Sequence, residues 1–131
     1  MIGLDTNILL RFVTQDDPVQ SPIATRILEA ELTEQEPGFV SLVAIVELAW
    51  VLESRYKLKR AEVAAVIEGL ARTDSLRLEH PLAVAAAVTA AAERNADFAD
   101  ALIGAIGLNA GCSTTLTFDR RVQRLPGFSA A

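Results

Sequence analysis

The sequence is poor in residues that staple a chain, bind soft metals or anchor it in lipid. Its one cysteine, Cys112, cannot make an internal disulfide, so nothing argues for an oxidising compartment. Its one histidine, His80, precedes Pro81 far from other ligand types and reads as an ordinary loop residue. Lysine is confined to Lys57 and Lys59. The longest nearly apolar run, 39–52, contains Glu47 and is too short for a membrane span. A secretory signal is also missing: the first residues carry no positive region, and Asp5 and Arg11 interrupt their apolar run. The expectation is a soluble, cytoplasmic protein without membrane contact.

What is present is apolar bulk. Half of the 131 residues are hydrophobic, which suits a single domain, 1–131, with one core. The formal net charge is −5. That disfavours nucleic acid, because phosphate neutralisation by Lys and Arg dominates such affinity. The objection weakens if several of the acids hold cations.

The opening ten residues, MIGLDTNILL, set the frame. Residues 2–4 read as a buried central strand with Asp5 at its carboxyl end, where ligands bind in open α/β sheets. Thr6 or Asn7 is expected to cap a helix over 8–15, although Asp5 could be that cap instead. An amphipathic helix follows over 21–36, with Ile23, Ile27 or Leu28, Ala30 and Leu32 inward. Strand 39–41 leads into a helix over 42–56 capped by Ser41, and the basic connector 57–59 into a helix over 60–72. Strand 76–78 precedes an Ala-rich helix over 81–94, begun by Pro81. Asp97 caps a helix over 98–110, which Gly111 ends. A Thr-rich strand over 113–118 and an edge strand at 128–129 close the chain. Strands alternating with helices predict an α/β domain with a mostly parallel sheet.

Most of the 17 acids lie where polar residues belong, but four do not. Asp5 follows the first strand. Glu47 interrupts FVSLVAIVELAWVL. Asp100 interrupts FADALIGAI, and Asp119 ends STTLTF. An unpaired buried carboxylate costs several kcal/mol, so such groups are paired, neutralised or bound to metal. Pairing with Arg11, Arg120, Arg121 or Arg124 is one explanation. Convergence is the other: strand ends and crossover-helix starts share one sheet edge, so Asp5, Glu47, Asp100 and Asp119 could meet there. Oxygen donors without thiolate or imidazole suit Mg²⁺ or Mn²⁺ rather than zinc. Such a site activates water against a phosphodiester. Arg120, Arg121 and Arg124 could hold the substrate backbone, or be solvated surface. Thr6, Asn7 and Thr117 could orient carboxylates, water or phosphate. Asp97 is either a helix cap or a further member.

The segments Ile-Gly-Leu-Asp-Thr-Asn-Ile-Leu-Leu, Glu47 after Ser41, Asp97-Phe98-Ala99-Asp100-Ala101-Leu102-Ile103 and Thr117-Phe118-Asp119-Arg120 together resemble a PIN-domain protein of the kind found among VapC-type toxins of bacterial toxin–antitoxin pairs. The resemblance spans nearly the whole chain. It implies a three-layer α/β/α fold with a central mostly parallel sheet, and Mg²⁺- or Mn²⁺-dependent endoribonuclease activity. It also implies a metal-binding catalytic quartet of Asp5, Glu47, Asp100 and Asp119, a homodimer, an RNA substrate and a cognate antitoxin protein.

Two rivals remain at this point. One is a phosphatase or phosphotransferase with Asp5 as nucleophile, as in haloacid dehalogenase-like enzymes. Those usually place Asp two residues after the nucleophile, where this chain has Asn7, and want a late lysine that it lacks. The other is a non-catalytic module whose acidic pocket docks a basic peptide.

Overall fold

Strand β1 (Ile2–Gly3) runs parallel to β2 (Gly38–Val40), and β2 runs parallel to β3 (Leu76–Leu78). The computed structural model describes all 131 residues. The remaining elements are α1 (Thr6–Thr14), α2 (Gln20–Arg26), α3 (Leu42–Ser54), α4 (Arg60–Ala71), α5 (Pro81–Arg94), α6 (Phe98–Asn109), β4 (Thr115–Thr117) and β5 (Phe128–Ala130). Parallel strands joined by helical crossovers make this an α/β fold.

The expected position of the first strand is corrected. β2 bonds on both sides and is central, so β1 lies at an edge. β4 pairs in parallel with β5 as a separate two-stranded sheet rather than extending past β1. With no strand on its outer side, Ile2 is 61% exposed, so β1 is not the buried strand its apolar run predicts.

One cluster of 29 buried apolar residues forms the core. Helix α3 supplies Ile45, Leu48 and Leu52, and α4 supplies Val63, Ile67 and Leu70. The alanines of α5 let it pack closely: Ala83, Ala87 and Ala91 are buried. The small residues of α6 have a similar use. A Cβ on Gly104 would lie 2.5 Å from the Phe128 ring and 2.8 Å from the Pro126 carbonyl. The small-residue surfaces of α5 and α6 are thus filled from within the chain.

The helix expected over 21–36 is shorter. α2 gives way to a π-helical turn over Ile27–Glu31, closed by the Leu32 N–H on the Ile27 carbonyl at 2.9 Å. Leu32 then turns extended and buries, and Glu34 and Glu36 lie beyond the helix. Leu28 and Leu32 point inward as expected. Ile23 and Ala30 do not, and Ser21 is buried instead, donating to the Arg11 carbonyl at 2.8 Å.

Candidate active site

Asp5 ends β1 in extended conformation and is itself the N-cap of α1, its carboxylate accepting the Thr6 N–H at 2.9 Å. The cap expected from Thr6 or Asn7 is therefore corrected. Thr6 is buried in the first turn, and the Asn7 amide donates to Gln20 at 3.3 Å. An exposed capping carboxylate is a poor start for a covalent phosphatase, and Asp5 lines neither of the two cavities described next.

The first cavity, about 580 Å³, lies where α4, α5, α6 and the segment after β4 meet. Asp97, Asp100 and Asp119 line it, together with Arg60, Arg94, Arg121 and Arg124. Each acid is held by local backbone geometry. Asp97 is the N-cap of α6, and its carboxylate accepts the Asp100 N–H at 3.1 Å. That places Asp100 in the first turn. Asp119 sits in a tight turn after β4. The Thr117 hydroxyl accepts the Asp119 N–H at 3.1 Å, and the Asp119 carboxylate accepts the Arg121 N–H at 2.8 Å. Thr117 thus orients the main chain of Asp119. Arg121 and Arg124 line the cavity and Arg120 does not.

Burial raises the Asp100 pKa, and repulsion from Asp97 and then Asp119 adds to it; Arg60 opposes the shift. Asp97, read from the sequence as either cap or site residue, is both a cap and a cavity wall. None of these acids is neutralised by an ion pair: the five pairs in the chain involve other carboxylates.

Glu47 belongs to the second cavity, an apolar groove of about 610 Å³ between α3 and α6. Its expected burial is corrected. Glu47 is exposed and shares one face of α3 with Val43 and Trp50, which are 78% and 63% exposed. An apolar-all-round helix here keeps one face uncovered. Ile103 of α6, 54% exposed, faces the same groove, and Asp97 lines both cavities.

The expected convergence of all four acids on one point is absent. No three acidic, histidine or cysteine side chains stand within reach of a common ion. The reason lies in the fold: β4 is not hydrogen-bonded beside β1, so Asp5 and Asp119 do not end adjacent strands, and Glu47 lies on an outer helix face.

A PIN-domain family model matches residues 2–127 of the chain. The chain belongs to the PIN-domain family. Among curated proteins it is similar to a VapC ribonuclease from Aquifex aeolicus (strain VF5), 26% identical over 122 residues that cover 93% of this chain and 90% of the relative.

The donors around the PIN cavity suit a divalent ion. All are hard oxygens, and the raised pKa of Asp100 marks a place where added positive charge would relieve repulsion. Mg²⁺ typically keeps several waters and takes only one or two carboxylates, so a site built on Asp100 and Asp119 would need no closed cage. Sequence reading missed Arg60 and Arg94 on the cavity wall. They lie outside the motifs, on α4 and α5, and no periodicity marks them. It also missed Glu79, whose carboxylate accepts the Leu42 N–H at 2.8 Å and completes the capping of α3 beside Ser41.

Proposed function

We propose that this PIN-domain protein is a metal-dependent endoribonuclease, the toxin of a toxin–antitoxin pair, with RNA as substrate and the cytoplasm as its place of action. One observation carries the reading: three carboxylates crowd a cavity whose remaining charge is arginine. Acids alone would repel a polyanion, and arginines alone would bind it without chemistry. Family membership and the VapC ribonuclease likeness point the same way.

In this reading Asp100 and Asp119 would hold Mg²⁺ or Mn²⁺, and Asp5 and Glu47, the other members of the quartet that the family resemblance implies, stand outside this cavity. An ion held there would supply an activated water and would offset charge on the leaving oxygen. The chain's own residues do the rest. Asp97 fixes the main chain of Asp100 through the cap, and its charge adds to the burial that raises the Asp100 pKa. The turn at Asp119 fixes the main chain of Arg121, which lines the cavity. Arg121 and Arg124 hold strand phosphates as charge-assisted donors, and an antitoxin segment inhibits by filling the same cavity. The exposed apolar face of α3 and α6, with Val43, Trp50 and Ile103, supports a homodimer. A monomer by sedimentation at micromolar concentration would contradict that assembly.

The decisive experiment incubates purified protein with single-stranded RNA in Mg²⁺, in Mn²⁺ and in excess chelator, beside Asp100→Asn. Cleavage by wild type only with an ion, and none by the variant, is expected. Equal cleavage in chelator would overturn the metal mechanism.

A further inference from the structure

Arg60 stands where a helix disfavours a cation. It is the first residue of α4, and a helix N-terminus carries partial positive charge. Its side chain does not escape to solvent. It is 32% exposed and crosses to the α5–α6 loop, where Nη1 donates to the Asn95 carbonyl at 2.6 Å. Glu53 lies beside it at 3.7 Å, a loose contact. Arg94, the last residue of α5, is also tied to main chain: its Nη1 donates to the Arg124 carbonyl at 2.9 Å.

A guanidinium has five N–H donors. Arg60 and Arg94 each make one hydrogen bond, in both cases to a main-chain carbonyl. Both line the cavity of Asp97, Asp100 and Asp119, and neither forms an ion pair with any of the three. Two arginines are therefore each anchored to main chain, with most of their donors left over, beside acids with which they form no ion pair. The cavity, about 580 Å³, lies within the range of ordinary ligand sites.

We propose that Arg60 and Arg94 form an anion subsite that grips a phosphodiester of single-stranded RNA on the α4–α5 wall of the cavity, in addition to Arg121 and Arg124. This deepens the nuclease reading and rests on it. The carbonyl bonds pre-orient each fork, so little side-chain freedom remains to be lost when the phosphate arrives. The fork geometry matches a phosphate's two free oxygens in a way lysine cannot.

The test measures binding of a labelled single-stranded RNA, held uncut in Ca²⁺, across a potassium chloride series. Wild type, Arg60→Gln, Arg94→Gln and Arg60→Lys are compared, with Arg26→Gln as control; Arg26 is exposed on α2 and pairs with Glu31. Each Gln variant should bind about tenfold more weakly and lose about 0.7 from the slope of log affinity against log salt. Arg60→Lys should keep the wild-type slope with intermediate affinity, and Arg26→Gln should match wild type. In cleavage assays the Gln variants should raise KM with kcat nearly unchanged. Thermal melts separate misfolding from lost binding, and Arg60→Lys tests the claim if Arg60→Gln does not fold. Wild-type affinity and slope in folded Gln variants would overturn the subsite while leaving the nuclease standing. Wild type that neither binds nor cuts RNA would overturn both.

Discussion

Asp97 both fixes and opposes Asp100: its carboxylate accepts the Asp100 N–H at 3.1 Å, and its charge helps to raise the Asp100 pKa. The two effects separate by substitution. Asparagine caps as well as aspartate but carries no charge. Asp97→Asn should hold thermal stability near wild type and move the Asp100 titration, seen in a pH–rate profile, toward acid. Asp97→Ala should lose the cap and about 1 kcal/mol of stability.

Asp100→Asn should abolish cleavage without harming the fold. The folded pKa of Asp100 lies above its unfolded value. The folded state therefore binds the proton more tightly, and stability falls as pH rises from the unfolded pKa through the folded one. Removing the charge should leave the ion-free protein at neutral pH equal or more stable, by roughly 0–1 kcal/mol after allowance for solvent screening. The gain should vanish in acid, below the unfolded pKa. Melts in chelator at several pH values check this, and a variant melting well below wild type would make Asp100 a structural partner.

Asp16 shows the opposite sign. It accepts hydrogen bonds from the Thr14 hydroxyl at 2.6 Å, the Tyr56 hydroxyl at 2.6 Å and Arg11 at 3.2 Å, and its pKa is lowered to about 2, with Thr14 the largest cause and Tyr56 the next. The stabilisation is present above the unfolded value of 3.8 and is lost as pH falls toward 2. Tyr56→Phe should melt below wild type at neutral pH, and the gap should narrow on acidification.

Two helix glycines should respond in opposite directions to alanine. Gly69 in α4 has open space where a Cβ would stand, so Gly69→Ala should stabilise by about 0.5–1 kcal/mol. Gly104 meets the Phe128 ring and the Pro126 carbonyl, and the carbonyl cannot swing aside. Gly104→Ala should cost roughly 1–3 kcal/mol despite the same gain in helix propensity. Paired denaturant melts decide both.

Local signals were legible wherever neighbours in sequence decide the structure. Helix α5 occupies the expected span, 81–94, because Pro81 begins it. Ser41 and Asp97 cap the helices expected of them. Asp100 stood out as a polar residue in an apolar run and Asp119 as the end of a Thr-rich strand, and the two share a cavity, whereas Glu47 stood out equally but lines the other groove. An apolar run does not reveal whether its helix is covered on every face. Strand order is likewise silent in the sequence: β1 at an edge and β4 paired with β5 depend on contacts made far along the chain. Arg60 belongs to the same class, since its carbonyl partner lies 35 residues away.

Of the eleven residues lining the arginine-and-acid cavity, all but Arg60 lie between Arg94 and Leu125. That stretch spans α6 and β4, bracketed by the end of α5 and the turn before β5, and these elements pack on one another. Proteins open in contiguous cooperative units rather than uniformly. Amides of α6 and β4 should therefore exchange their hydrogens as one unit, with a rate that Arg60→Gln changes and that opening of the β1–β2 edge does not. The chemistry then survives fluctuations in the first third of the chain. A partner that grips α4 reaches the cavity through one side chain alone.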